Sequence, residues 1–306
     1  MEILLNIGLV IAGLALLCFG GNWLVSGGES IAKKLRMSPM IIGMTIVAYG
    51  TSTPELAFSF AAIYHPDIIL GNIVGSNISN IGMVIGISAI ILALTVNKKS
   101  VQKIIPIMIG VSLLLVILSI DGSITWHDGI LLLGILIIFT LYIYKNSVKN
   151  REKYDKSIKV NIPKTILLIG LGITSLYGGG VLAIDNAVVV AETFGVSERV
   201  IGLTVIAIGT SLPELITSAI AIRRGKLDIG IGNILGSNIY NILMIIGVVS
   251  LITTIPVSAQ IHVDYTIMII FSLALILLLR TGKISRKFGV VLASGYVAYI
   301  IMTLII

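Results

Sequence analysis

Hydrophobic residues fill whole runs of this chain, and the polar residues gather between those runs. A helix that crosses a bilayer needs about 20 mainly apolar residues. Stretches of that kind lie at about 3–26, 40–63, 68–94, 104–120, 129–145, 163–191, 199–222, 228–253, 262–280 and 288–306, which predicts ten spanning helices. The fourth, fifth and last are short. The longest polar interruption, Lys145 to Lys164, reads as a solvated linker and not as a domain.

Composition agrees with that pattern. Of 306 residues, 57% are hydrophobic and 11% charged, with a mean hydropathy of +1.09. Soluble domains carry about 25% charged residues, so this chain has too few polar side chains to cover a globule in water. A cytosolic enzyme, a nucleic-acid binder and a disordered scaffold are excluded. The net charge of +7 has another explanation. Lys and Arg collect in cytoplasmic loops, and ten spans put 20 of the 21 basic residues on one side, with Arg199 alone on the other. The expectation is a multi-pass protein of the cell membrane with both termini extracellular, needing no nucleic acid. Cys18 has no disulfide partner and no metal-ligand spacing around it, and is expected to be a buried thiol. The N-terminus lacks a basic flank or small-residue cleavage pattern, so the first apolar stretch is expected to be retained.

The chain repeats itself. Residues 42–56 (IGMTIVAYGTSTPEL) recur at 201–215 (IGLTVIAIGTSLPEL), an offset of 159. Residues 71–81 (GNIVGSNISNI) recur at 232–242 (GNILGSNIYNI), an offset of 161. Each half holds five helices, an odd number, so the second copy is upside down. The loop between blocks agrees: Tyr64-His65-Pro66-Asp67 in one copy, Arg223-Arg224-Gly225-Lys226 in the other. The expected fold is an all-α polytopic membrane protein of ten transmembrane helices. Residues 1–150 form the first five-helix repeat (block 42–86), 151–162 a cytoplasmic linker, and 163–306 the second, inverted repeat (block 201–247). Inverted repeats with interrupted helices near the midplane are the architecture of secondary transporters.

Glu55 and Glu214 hold equivalent places within their spans. A mid-membrane carboxylate costs about 2.5–3.5 kcal/mol even on the lenient insertion scale. The basic residues that fall within the proposed spans, Lys145, Lys164, Arg199 and Arg280, stand at their ends, so mobile cations or protons remain as counter-charges. Thr51 and Glu55 are i and i+4 on one helix face, as are Thr210 and Glu214. Pro54 and Pro213 leave the carbonyl four residues earlier without its helical partner, beside Gly50 and Gly209. Each GTSxPE block thus offers a carboxylate, hydroxyls and freed carbonyls. Asn72, Ser76 and Asn80, and likewise Asn233, Ser237 and Asn241, add a second oxygen face at spacings of four. Hard cations such as Ca²⁺ take 6–8 oxygen ligands. Softer metals want Cys or His, and His65, His127 and His262 are expected in loops. Two ionised glutamates match one Ca²⁺, and the same oxygens suit several Na⁺.

These two blocks resemble the α-repeats of the sodium/calcium exchanger branch of the calcium/cation antiporter superfamily. The resemblance implies four ion sites between helices 2, 3, 7 and 8, alternating access by sliding of helices 1 and 6, and electrogenic exchange of three Na⁺ for one Ca²⁺. It implies that Glu55 and Glu214, with the carbonyls of Thr51 and Thr210, bind Ca²⁺. One flanking Na⁺ site would use Ala48, Thr51, Ser52, Ser76 and Glu214, and the opposite one Ala207, Thr210, Ser211, Ser237 and Glu55. Asn80 and Asn241 would line the middle. Potassium-dependent relatives carry Asp in place of Asn241, which argues against K⁺ co-transport. The proton-coupled branch has GNxxE where this chain has GTSxPE. A Ca²⁺/H⁺ antiporter using the same glutamates is the alternative, and a cation channel or membrane enzyme fits less well. No cofactor and no obligate protein partner is implied; the partners are Ca²⁺, Na⁺ and the lipid bilayer.

Other polar residues have plainer readings. Thr45 and Thr204 suit packing, Asn77 and Asn238 suit joining helices, and Asn72 and Asn233 divide evenly between cross-linking and ion binding. Glu29 and Asp185 suit interfacial solvation, and Asp121, Asp128 and Asp228 suit loops. Trp126 suits the interface. Gly178-Gly179-Gly180, paralleled by Gly20-Gly21, suits a hinge or a contact surface.

Overall fold

The computed structural model describes residues 2–95, 101–149, 160–196, 205 and 207–305. Lys98, Lys99, Arg151, Lys153, Lys156, Lys159, Arg199, Thr204, most of the linker and the start of the second repeated block lie outside them.

The chain is helical. In order come α1 (Glu2–Leu35), α2 (Pro39–Ile42, continued by a π-helical turn Gly43–Val47 and by Ala48–Thr51), α3 (Thr53–Ala61) and α4 (Asp67–Ser79, a π turn Asn80–Ile85, then Gly86–Ile91). Next are α5 (Ile104–Leu118), α6 (Trp126–Lys149), α7 (Ile162–Thr193), α8 (Ala207–Thr210) and α9 (Leu212–Arg223). The last are α10 (Leu227–Tyr240, a π turn Asn241–Ile246, then Gly247–Ser250), α11 (Ile261–Ala274), α12 (Ile276–Thr281) and α13 (Arg286–Ile305). Among the described residues, seven helices are long and apolar enough to cross a membrane, and Ile104–Leu118 is a shorter apolar one.

The ends have local causes. The Ile41 amide donates to Ser38 Oγ and the Lys164 amide to Asn161 Oδ1, while Pro39 and Pro163 open their helices, where a missing N–H costs nothing. Asp128 lies inside α6 and not in a loop, and its Oδ2 accepts from the Thr125 amide and hydroxyl. His127 and His262 also sit within helices; His65 alone of the three is in a loop. α1 runs well beyond the expected end at 26, carrying Lys33 and Lys34 in its last turn, where cations suit the negative end of the helix dipole.

α4 and α10 form the centre, with α10 buried continuously from Ile229 to Gly247. α1 and α7 lie outside, packed antiparallel on each other. Their contact depends on glycine. A Cβ on Gly13 would stand 2.7 Å from the Gly179 carbonyl oxygen, and one on Gly20 would stand 2.9 Å from that of Gly172. Gly179 is therefore part of a contact surface. The outer faces of these helices expose Leu4, Ile11, Phe19, Ile166 and Leu167, as a lipid solvent permits. Cys18 is exposed there too: the expected buried thiol faces outward from α1, because the buried stripe of that helix runs through Gly13, Leu17, Gly20 and Leu24.

Two short antiparallel ladders tie the ends of the bundle. Leu94–Thr95 (β1) pairs with Lys283–Ile284 (β4), and Ser123–Ile124 (β2) pairs with Ile255–Pro256 (β3).

Candidate ion-binding site

The site begins where two helices stop and restart. Between α2 and α3, Ser52 leaves helical geometry (φ −81°, ψ 7°); between α8 and α9, Ser211 (φ −89°, ψ 0°) separates the two helices. Pro54 and Pro213 follow within the first two residues of the restarted helix, where proline is tolerated. Glu55 and Glu214 therefore occupy the first turns of α3 and α9, at the positive ends of the helix dipoles. Both carboxylates are completely buried.

Thr51, Ser52, Ser76, Asn80, Thr210, Ser211, Ser237 and Asn241 are all buried, as is Ala48. Ala207 opens α8. Ser52 Oγ donates to Glu214 Oε1 at 3.3 Å, and Ser237 Oγ to the same oxygen at 3.4 Å. The Thr51 hydroxyl lies 3.0 Å from Asn233 Oδ1 and 3.4 Å from Ser237 Oγ. The first half's hydroxyls thus reach the second half's carboxylate and amide.

Much of the oxygen set is unclaimed by protein donors. Both oxygens of Glu55, Oε2 of Glu214, the hydroxyls of Ser76 and Ser211, and Oδ1 of Asn80 and Asn241 are buried without a hydrogen-bond partner among the described residues. Buried polar groups are ordinarily paired, and an unpaired buried charge is the costliest exception. Oxygens held in this way suit a hard cation. Among the described residues, no three His, Cys, Asp or Glu gather into a group, so two carboxylates and neutral oxygens are the available donors.

The asparagines show how the neutral oxygens are aimed. Asn80 Nδ2 donates to Asn238 Oδ1, and Asn241 Nδ2 donates to Asn77 Oδ1, each at 3.0 Å. Asn77 and Asn238 are fixed in turn: each donates to the other's backbone carbonyl, and each amide lies against a methionine sulfur, Met268 and Met108 respectively. With their NH₂ groups engaged, Asn80 and Asn241 have only Oδ1 left to offer. Both residues also begin π turns, a local widening frequent at functional sites. Asn77 and Asn238 join helices, as expected of them. Their further effect on Asn80 and Asn241 was not legible in the sequence, because it depends on side chains that meet across α4 and α10.

Several polar residues stand nearby. Asn233 links Thr51 to Ser218, which donor-acceptor distances of 3.0 and 2.9 Å establish as cross-linking. Ser218, the repeat mate of Ser59, escaped the sequence reading because a lone serine in an apolar helix carries no signal. Thr45 bonds the Ile41 carbonyl. Glu29 pairs with Lys33 and Lys226, beyond simple interfacial solvation.

The sequence profile described as sodium/calcium exchanger protein matches residues 5–145 and 164–305. The chain is 39% identical over 306 residues to the putative antiporter CaxA of Alkalimonas amylolytica, covering 95% of this chain and 96% of that one. It is 30% identical to the sodium/calcium exchanger MaX1 of Methanosarcina acetivorans, covering 98% and 99%. A solved structure of the sodium-calcium exchanger NCX_Mj superposes with a TM-score of 0.86 at 36% identity, covering 98% of this chain and 99% of that chain.

Proposed function

This chain belongs to the sodium/calcium exchanger family of membrane antiporters, and we propose that it exchanges three Na⁺ for one Ca²⁺ at the oxygens around Glu55 and Glu214, independently of K⁺. The observation that carries this reading is the pair of buried glutamates, one from each repeated block, with three of their four oxygens unclaimed by protein donors.

Charge then sets the exchange. One Ca²⁺ neutralises two carboxylates. Three Na⁺ bring one charge more than the Ca²⁺ they replace, so each cycle moves a net charge, worth about 2.3 kcal/mol per 100 mV. Inward Na⁺ would expel Ca²⁺. Asn241 supports K⁺ independence, since its amide oxygen adds no third negative charge to the centre. Ser52, Ser211, Thr51 and Thr210 would complete the coordination, with Ser76, Ser237, Ala48 and Ala207 at the flanks.

The ten-helix inverted architecture gains support from symmetry. Adding the shorter α5 and the interrupted pairs α2–α3 and α8–α9 to the seven long apolar helices gives ten. Shifting by 161 residues turns the Asn80–Asn238 bond into the Asn241–Asn77 bond. Shifting by 159 turns the Gly13–Gly179 contact into Gly172–Gly20. The ladders exchange likewise, β1·β4 matching β3·β2. The termini and the Tyr64–Asp67 loop would then be extracellular.

The test is Na⁺-driven ⁴⁵Ca²⁺ flux in proteoliposomes. Collapsing the Na⁺ gradient at constant pH stops it, and Glu55→Gln or Glu214→Gln abolishes it. Flux that persists without a Na⁺ gradient, and follows a pH gradient instead, refutes the Na⁺-coupled reading.

A further inference from the structure

Asp185 was expected to be solvated at the membrane interface. It lies in α7, eight residues before the end of that helix at Thr193, about 12 Å along the axis at 1.5 Å per residue. An acid within a spanning helix ordinarily has a partner or faces water. Asp185 is exposed, and no side chain among the described residues pairs with it. It lines a cavity of about 280 Å³ whose walls include Pro54, Phe58, Tyr177, Gly180 and Thr210. Pro54 adjoins Glu55, and Thr210 belongs to the candidate site. Asp185 is the one carboxylate or cationic side chain among the described residues that line the cavity.

Helix packing does not require an acid here. The 159-residue offset that matches Gly20 to Gly179 matches Ser26 to Asp185. Ser26 faces a cation: its Oγ accepts from Arg224 Nη1 at 2.9 Å, and the same guanidinium reaches Asn22 through Nη2. Two equivalent helix positions thus have opposite electrostatic surroundings, a bare carboxylate at one and an arginine at the other.

We infer that Asp185 is a cation-capture residue at one mouth of the ion pathway: its charge concentrates ions in the cavity that reaches Thr210, and favours divalent over monovalent ones. This rests on the exchange reading above. Charge in a low-dielectric cleft raises local counter-ion concentration. Because the Boltzmann factor for a divalent ion is the square of that for a monovalent one, removing the charge raises KM about fivefold for Ca²⁺ and about twofold for Na⁺. The ion bound at saturation is held by other residues, so the maximal rate stays.

The experiment uses the full chain in oriented proteoliposomes. Asp185→Asn raises KM by these unequal factors for ions arriving from one face alone, the effect shrinks as ionic strength rises, and Asp185→Glu restores the wild-type values. Equal shifts for both ions, shifts from both faces, or a fall in maximal rate alone would overturn the inference. A second measurement adds thiol labelling. In a Cys18→Ser background, the Asp185→Cys thiol reacts with a membrane-impermeant reagent; a sulfonate adduct lowers the Ca²⁺ KM and a trimethylammonium adduct raises it. A thiol that does not react overturns the aqueous mouth. Wild-type vesicles without Na⁺-driven Ca²⁺ flux refute the exchange reading instead, and the labelling result still decides whether position 185 lines a wet route.

Discussion

Gly236→Ala perturbs the contact that holds one side of the site together. The added Cβ would stand 2.5 Å from the Met44 carbonyl oxygen and 2.7 Å from both Met44 Cα and Ala48 Cβ. The first and second of these belong to backbone, and the third to a residue with no rotamer to change. Relief therefore means moving α10 away from α2 by about half an ångström or more, and overpacking of that kind costs about 1–3 kcal/mol. The next residue, Ser237, has hydroxyl contacts of 3.4 Å to both Thr51 and Glu214, already at the limit of hydrogen bonding, so the same displacement breaks them. The substitution should lower both stability and Ca²⁺ affinity. Gly170→Ala is the control: Gly170 has nothing within 4 Å of its would-be Cβ and lies on the exposed face of α7. Alanine there should stabilise the helix by about 0.5–1 kcal/mol. Thermal unfolding in detergent and ⁴⁵Ca²⁺ binding on both variants check this. A Gly236→Ala protein as stable and as avid as wild type would refute the packing argument.

Further expectations concern the neighbours of the site. Asn238→Ala frees the Asn80 amide to rotate and removes a buried bond worth about 1–3 kcal/mol; equilibrium binding should show Ca²⁺ affinity lowered by tenfold or more while the protein still folds. Tyr265→Phe removes a 2.7 Å bond to Ser119, whose hydroxyl keeps its bond to the Leu115 carbonyl. It should cost about 1 kcal/mol in thermal unfolding and leave ion flux unchanged. Replacing external choline by K⁺ should leave Na⁺-driven Ca²⁺ flux unaltered, whereas Asn241→Asp should make that flux sensitive to K⁺.

Most of the helix boundaries were legible because a bilayer demands length and apolarity, and both are written in the chain. The expected spans 104–120 and 228–253 differ from the observed Ile104–Leu118 and Leu227–Ser250 by no more than three residues at either end. The Leu35 end of α1 was missed because Glu29, Lys33 and Lys34 look like a loop, whereas Glu29 bonds Lys33 along the helix and Lys226 across it. Cys18 was misplaced because glycines alternate with leucines in the packed stripe of α1, and a glycine carries no apolar signal of which face is buried. The two-residue ladders have no period to detect. The π turns contain the same residues as an α-helix would. What the repeats revealed was which residues correspond; that Asn77 and Asn238 orient Asn80 and Asn241 depends on side chains meeting across α4 and α10, and only coordinates supply that.

The central claim is that Glu55 and Glu214 together provide the charge for one Ca²⁺ that Na⁺ displaces. Equilibrium ⁴⁵Ca²⁺ binding to the purified protein, titrated with Na⁺, tests it without a gradient or a membrane. One Ca²⁺ should be released by Na⁺ in the wild type, and binding should be at least a hundredfold weaker in Glu55→Gln and in Glu214→Gln, since removing one member of a buried charged group costs about 3–5 kcal/mol. Undiminished binding in either variant, or Ca²⁺ that Na⁺ does not displace, would contradict it.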